Sequence, residues 1–230
     1  MKNRVLIAVV LTLFAFTAQA QRSTSFLELG GYGMSQNYLG DLNGNSLNAF
    51  TQEVKFGVGA QLKYNLSSLL SVGADVNFGS IYSHDNLHGN ETRDYVVDTE
   101  LLQMGVFTNI HFIPFGKYNL RHSHTPFLHV GANVVTYQPN LNTNAQYPEE
   151  IELYPGTSHT VAYSLGFGWR IRRSLKSFYN FGIYYNGFAA SNIEGFNYTR
   201  EYLEANTASR NTMDGCLMLK LGMSLGFFEQ

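Results

Sequence analysis

The feature that most constrains the fold is a strict alternation of residue types over eleven positions. In residues 54–64 every even-numbered residue is apolar, and the odd-numbered ones are two lysines, two glycines and a glutamine. Successive side chains of a β-strand point to opposite faces of the sheet, so this period of two predicts a strand with one apolar face. The same alternation covers residues 70–79, 161–172 and 217–227. The chain is therefore predicted to consist mainly of long strands.

Weaker alternations raise the predicted number of strands to eight. They cover residues 27–34, 102–112, 128–136 and 179–185. The connections are in turn long (37–50, 82–99, 138–160, 188–214) and short (65–69, 114–125, 173–177). Long outer loops and short periplasmic turns are typical of bacterial outer-membrane barrels. We therefore expect the long loops outside the cell and both chain ends in the periplasm.

Composition favours a membrane barrel over a soluble β-sandwich, which is the alternative that alternation alone leaves open. Only 14% of the residues are charged, against roughly 25% in an ordinary soluble domain. The regular runs are long enough to cross hydrocarbon as tilted strands. Because an unpaired strand edge cannot bond to water inside a membrane, the sheet must close on itself. The predicted fold class is all-β, an eight-stranded antiparallel up-and-down transmembrane β-barrel.

The first twenty residues have the form of a signal peptide. A basic start precedes an apolar run over residues 5–16, and Ala-Gln-Ala at 18–20 has the small-x-small pattern that signal peptidase cleaves. We expect cleavage before Gln21, which leaves residues 21–230 as the barrel domain in the outer membrane of a Gram-negative bacterium. A buried N-terminal helix is the alternative interpretation.

The polar phase of the strands predicts what fills the barrel. Eight strands enclose a lumen only wide enough for side chains, which excludes a diffusion pore. Charges in so narrow a space lose their water and need partners, so we expect a structural ion-pair network. Its predicted members are Glu28, Lys55, Lys63, Asp75, Arg170, Arg172 and Lys220.

Aromatic residues near the predicted strand ends are expected to form two girdles at the membrane–water interfaces, where amphipathic rings are stable. These residues are Tyr64, Tyr82, Phe112, Phe115, Tyr137, Tyr179 and Phe188. The surrounding partner is then the outer-membrane lipid.

The sequence offers little chemistry beyond this. A formal net charge of -2 without a basic block argues against a nucleic-acid partner. Cys216 is the only cysteine, so it forms neither an internal disulfide nor a four-thiolate metal site. His159 follows Ser158, and His129 lies on the polar phase of the fifth strand, but neither has an identifiable nucleophile and orienting acid. No catalytic residue, cofactor, metal or small-molecule substrate is predicted.

One local segment resembles a known family. Residues 28–43 read E-L-G-G-Y-G-M-S-Q-N-Y-L-G-D-L-N. This segment resembles the start of the small outer-membrane barrels of Bacteroidetes (DUF6089-like) that include the PorG component of the type IX secretion system, in which an E-x-G strand leads into Y-x-G-D-L-N. Elsewhere the resemblance lies in the eight alternating strands and in Gly-x-Gly-x-Arg at 166–170.

The resemblance implies a non-enzymatic part of a protein-export machine that contacts periplasmic ring lipoproteins from its short-turn side. The candidate partner-binding residues are Tyr38, Gly40, Asp41 and Asn43 after the first strand and Phe115, Lys117, Tyr118 and Arg121 in the basic, aromatic connection 114–125. The alternative for these residues is a structural loop or contact with lipid headgroups and solvent.

Two other functions stay open from the sequence. One is a stand-alone surface barrel, OmpX-like or OmpA-like, that serves adhesion or membrane integrity. A lipid-modifying outer-membrane enzyme is a remote third.

Overall fold

The computed structural model describes residues 25–39, 51–84, 87, 95–116, 121–143, 151–153, 156–190, 193, 195–198 and 214–227. Within them the strands are β1 (Phe26–Leu39), β2 (Lys55–Asn65), β3 (Leu70–His84), β4 (Tyr95–His111), β5 (His124–Thr143), β6 (Ile151–Leu153), β7 (Ser158–Arg172), β8 (Ser177–Phe188), β9 (Phe196–Tyr198) and β10 (Gly215–Phe227). The predicted signal peptide lies outside the described residues. Among the described residues, no helix is both long and apolar enough to cross a membrane.

Eight of these strands form a closed barrel in the order β1-β10-β8-β7-β5-β4-β3-β2. Every neighbouring pair is antiparallel, and β1 closes the sheet against β10 from Leu27 opposite Phe227 to Leu39 opposite Gly215. The short strands β6 and β9 pair with each other as a separate ribbon. The predicted eight-stranded antiparallel up-and-down barrel is therefore confirmed.

Most strands are longer than the alternation predicted. β4 begins at Tyr95 and β5 continues to Thr143, so parts of the connections predicted over 82–99 and 138–160 are strand. There most of the outward residues are polar, as at Asp98 opposite Asn140, yet the backbone ladder continues. Apolar alternation marks the part of a strand that meets hydrocarbon, whereas backbone pairing extends further.

The outer face of the barrel is apolar along its whole middle. Outward side chains such as Phe56 (78% exposed) and Leu221 (68% exposed) would contact solvent if the protein were in water. A soluble protein does not leave so large a continuous apolar surface in water, but a membrane barrel requires one. This face therefore lies against lipid, and the protein is an integral membrane barrel of the outer-membrane type.

The expected aromatic girdles are only partly present. Tyr64, Phe112 and Tyr179 point outwards and are exposed, but Phe115, Tyr137 and Phe188 are buried inside the barrel. Tyr137 and Phe188 lie on the inward phase of β5 and β8, and Phe115 folds under the barrel from the connection after β4. Nearness to a strand end therefore does not decide which face an aromatic ring occupies.

Apolar layers close the lumen near both ends. We name the end that holds residues 66–69, 112–123 and 173–176 the short-turn end, and the opposite one the long-loop end. At the short-turn end, Phe26, Phe115 and Phe178 pack together. Towards the long-loop end a larger buried cluster includes Tyr38, Leu101, Val135, Phe188 and Ile193. Ile193 comes from the β8–β10 connection, and its carbonyl accepts a hydrogen bond of 2.9 Å from Thr99 Oγ1.

We expect an arginine on the lipid-facing wall to destabilise the barrel. Leu221→Arg in the middle of β10 should lower the free energy of unfolding by roughly 2–4 kcal/mol, because hydrocarbon does not solvate the guanidinium. The control Leu175→Arg lies in the short turn after β7, where the leucine is 62% exposed, and should change stability by less than about 0.5 kcal/mol. Urea unfolding in phospholipid vesicles measures both. Equal effects would contradict the placement of this wall in lipid.

Candidate functional site

The carboxylate of Glu28 is the centre of the larger charge cluster in the lumen. It lies on the inward phase of β1 and is fully buried. Its Oε2 is 3.0 Å from Lys63 Nζ and accepts a 3.0 Å hydrogen bond from Ser224 Oγ. Its Oε1 accepts hydrogen bonds from Arg170 Nη2 and, at 2.7 Å, from Asn65 Nδ2. Donors from β2, β7 and β10 therefore converge on one acid, which offsets the cost of burying it.

Arg170 links this cluster to the apolar layer at the short-turn end. Its Nη1 donates a hydrogen bond of 3.1 Å to Asn65 Oδ1. The guanidinium also lies over two rings, 4.2 Å from the centroid of Phe178 and 4.9 Å from that of Phe115. A planar guanidinium can bond at its edge and stack at its face, which an ammonium group cannot do.

A second, smaller cluster lies around Asp75. Its Oδ2 accepts a 2.9 Å hydrogen bond from the Tyr32 hydroxyl and lies 3.5 Å from Lys220 Nζ. The Lys220 ammonium is also 4.8 Å from the centroid of Tyr32 and 4.9 Å from that of Tyr184. Aromatic faces therefore supply part of its solvation where water is scarce.

The structure thus brings five of the seven predicted lumen charges into two clusters, and the other two lie elsewhere. Arg172 sits at the short-turn mouth, where its Nη2 donates to the Gly116 carbonyl at 2.5 Å and its guanidinium is 4.7 Å from the Phe115 centroid. The lumen prediction for Lys55 is wrong. Its Nζ lies 3.1 Å from Asp98 Oδ2, in a pair whose side chains are both partly exposed.

Strand pairing explains the position of Lys55. The β2–β3 ladder ends at Val58 opposite Phe78, whereas β2 begins at Lys55. The first residues of β2 therefore have no β3 partner beside them, and the Lys55 side chain crosses the wall to lie 4.7 Å from the centroid of Tyr82.

Two of the predicted partner-binding residues require correction. Tyr38 is buried, and its hydroxyl donates a 2.7 Å hydrogen bond to Asp214 Oδ1. Phe115 is buried against Phe178 and the guanidinium groups of Arg170 and Arg172. Neither side chain presents a docking surface, because both lie on the inside of the barrel. Arg121 is exposed; Gly40, Asp41, Asn43, Lys117 and Tyr118 lie outside the described residues.

The register of the sheet creates one arrangement that sequence inspection missed. His129 Nδ1 donates a hydrogen bond to Asn109 Oδ1 at 2.9 Å, and its Nε2 lies 3.2 Å from Ser164 Oγ. This is the order of nucleophile, base and orienting group in hydrolases. The available signal was that all three residues fall on the polar phase of strands that pair side by side.

The surroundings of His129 do not admit a substrate. Its ring is buried, 5.1 Å from the centroid of Phe107 and 4.9 Å from that of Tyr184. The adjoining cavity has a volume of about 30 Å³, which is room for one or two water molecules. The Ser164–His129–Asn109 chain is therefore a structural hydrogen-bond network. His159, the other histidine considered, lies 3.0 Å from Thr136 Oγ1 on the exposed outer side.

Among the residues that the structure describes, no three His, Cys, Asp or Glu side chains come together as metal ligands. Cys216 is a buried free thiol in the wall of β10.

Comparison with family models gives one match over most of the chain. Residues 3–204 match the model described as "Domain of unknown function (DUF6089)". The chain belongs to the DUF6089 family. The sequence has no significant match among curated proteins.

Three solved structures are similar to this DUF6089 barrel in fold. Neisserial surface protein A has 11% identity, covers 88% of this chain and 97% of its own, and gives a TM-score of 0.49. OprG from Pseudomonas aeruginosa has 14% identity, coverage of 92% and 99%, and a TM-score of 0.47. The outer membrane enzyme PagL has 12% identity, coverage of 86% and 97%, and a TM-score of 0.46. These likenesses concern the fold alone.

We expect Glu28 to stabilise the barrel far more than the partly exposed ion pair does. Glu28→Gln leaves Lys63 and Arg170 buried without a counter-charge and should cost about 3–5 kcal/mol of unfolding free energy. The control Asp98→Asn breaks the partly exposed pair with Lys55 and should cost less than about 1 kcal/mol. Urea unfolding in vesicles compares the two. A small loss for Glu28→Gln would show that the cluster does not hold the barrel together.

The apolar layers at both ends predict that the barrel does not conduct ions. Purified protein in a planar lipid bilayer should give no current steps, whereas a 16-stranded porin, which encloses an aqueous channel, provides the positive control. Reproducible current steps from the intact protein would contradict the sealed lumen.

Proposed function

We propose that this DUF6089 barrel is a non-enzymatic, PorG-like component of the type IX protein secretion machinery in the outer membrane of Bacteroidetes. The observation that carries the proposal is the sealed lumen. Phe26, Phe115 and Phe178 occupy the lumen at one end, and the larger apolar cluster occupies it at the other, so among the described residues apolar side chains fill the interior near both ends. Its work is therefore done by its wall and its two ends.

The opening segment of the barrel supports the secretion role. Residues 28–43 resemble the start of the PorG-like barrels, and Glu28 within this segment holds the lumen cluster together. On this proposal the short-turn end faces the periplasm and contacts the lipoprotein ring of the machine. The exposed side chain of Arg121, one of the predicted contact residues, supports this proposal.

A second candidate is a stand-alone surface barrel for adhesion or membrane integrity. The β6–β9 ribbon favours it, because it adds paired structure at the long-loop end beyond what closure of the barrel requires. A lipid-modifying enzyme is not proposed, since the one catalytic-like arrangement among the described residues, around His129, is enclosed in the lumen.

Deletion of the gene tests the secretion role. We expect proteins that bear type IX export signals to accumulate in the periplasm and to disappear from the culture supernatant, because the machine lacks an outer-membrane part. Complementation with the intact chain should restore export, and immunoblots of the two fractions measure it. As a matched control, the Asp98→Asn variant should complement fully, because it alters only the partly exposed pair with Lys55.

Unchanged export in the deletion strain would end the secretion proposal and leave the surface barrel as the leading account. A host-adhesion or detergent-sensitivity assay of the same strain then distinguishes the two functions. A defect in that assay together with normal export is expected only if the protein is a stand-alone surface barrel.

A further inference from the structure

The charged side chains in the middle of the lumen do not balance. Between the two apolar layers, every inward position of the eight barrel strands belongs to the described residues. The charged residues at these positions are Glu28, Lys63, Asp75, Arg170 and Lys220. Two carboxylates therefore face three cations among these residues, which leaves one positive charge in excess. A buried charge without a counter-charge is costly, so the excess requires a compensating group.

The neighbouring histidines do not remove this excess, because a protonated histidine would add positive charge. His129 bonds to Asn109 Oδ1 and to Ser164 Oγ. His111 Nε2 lies 3.4 Å from Ser71 Oγ. Both rings are buried against neutral polar partners. Counting the two histidines as neutral therefore gives the smallest positive charge for this part of the lumen while its lysines are protonated.

The other buried acids among the described residues lie too far away to supply the missing negative charge. Asp214 is six residues from Lys220 in the sequence, about 20 Å along an extended strand. Met218 of the larger apolar cluster stands between them on β10. Glu53 accepts a hydrogen bond from Ser83 Oγ near the long-loop end of β3. Both acids therefore belong to the long-loop end and not to the middle of the lumen.

The cavity beside His129 lies next to the excess charge. It is also lined by Lys63 and Lys220, and by the carboxamides of Gln61 and Asn180. The side chains of the two lysines are 2% and 12% exposed, so both are largely removed from bulk water. The volume of about 30 Å³ suits one or two water molecules or a single ion of similar size. Two cations and two amide groups thus border one small space.

Both ammonium groups have hydrogen-bond donors left over. A lysine ammonium carries three N–H donors and no acceptor. Among the described residues, Lys63 Nζ has one acceptor, Glu28 Oε2 at 3.0 Å, and Lys220 Nζ has one, Asp75 Oδ2 at 3.5 Å. An anion in the cavity would accept hydrogen bonds from the lysines and also balance the charge. A water molecule would accept the hydrogen bonds but leave the charge uncompensated.

We propose that the lumen holds one chloride ion, or a halide of similar size, between Lys63 and Lys220. The cavity is too small for phosphate, sulfate or a carboxylate, so the ligand is a monatomic anion. It enters before the sheet closes, because side chains fill the interior near both ends. The ion is a structural part of the barrel, and its presence does not depend on the proposed secretion role.

Bromide is the probe for this site, because its anomalous scattering distinguishes it from water in a diffraction map. The protein is refolded in detergent with bromide and crystallised from the same solution. We expect one anomalous peak in the cavity, within hydrogen-bond distance of both lysine Nζ atoms. Lys220→Met removes the excess charge and should abolish the peak. The matched control Lys55→Met removes the lysine of the partly exposed pair and should keep it.

Three results of this experiment would overturn the inference. They are a map without a peak in the cavity, a peak of equal height in Lys220→Met, and peaks confined to the outer surface, which would indicate an adventitious ion only.

A stability measurement tests the site even if Lys220→Met does not fold. Urea unfolding of the unaltered protein is compared in chloride and in gluconate, a monovalent anion too large for the cavity, at equal concentration. Because the ion binds only the folded barrel, chloride at about ten times its dissociation constant should lower the unfolding equilibrium constant about tenfold. Asp75→Asn raises the excess to two charges and should give the same effect at a lower chloride concentration. Equal unfolding of the unaltered protein in both salts would contradict the anion site.

Discussion

In hydrocarbon a backbone amide finds no water, so each strand of a membrane sheet needs a partner on both edges. For this chain the requirement is met when β1 pairs with β10 along almost its whole length. Closure at eight strands then fixes the width of the lumen, and that width determines which side chains fit inside. Both the buried charge clusters and the apolar layers follow from this one constraint.

Glu28 shows how closure and charge burial depend on each other. The acid is on β1, beside the closing seam, and its donors come from β2, β7 and β10. One carboxylate therefore joins both neighbours of its own strand and a strand across the lumen. Such a contact forms only when the sheet has closed in the correct register, so it stabilises the closed barrel over open or shifted pairings.

Much of this fold could be predicted from the sequence, because alternation reports the face of each residue directly. It correctly places Glu28, Lys63, Asp75, Arg170 and Lys220 on the inward phase, although it does not give their partners, which depend on register. Alternation predicts the wrong environment for a side chain where a neighbouring strand is missing or where the residue lies at the end of a strand. Lys55 leaves the lumen because β3 does not flank it, and Tyr38 and Phe115 are buried although their sequence positions suggested surface segments. The Ser164–His129–Asn109 chain needs three strands in register, which no local pattern reveals.

Because the lumen is filled with side chains, the residues that stabilise this barrel and the residues available to a partner lie in different parts of it. The groups that hold the fold lie between the two apolar layers, where no partner reaches them, whereas Arg121, Arg173 and Lys176 are exposed at the short-turn end. Arg170 and Arg172 mark the boundary, since they lie 4.9 and 4.7 Å from the centroid of the same Phe115 ring. Arg170 belongs to the Glu28 cluster, and Arg172 belongs to the short-turn mouth. The Phe115 ring contacts both guanidinium groups, and Arg170 is held by the Glu28 cluster. The packing of the lumen therefore also determines the position of the Arg172 charge at the short-turn mouth.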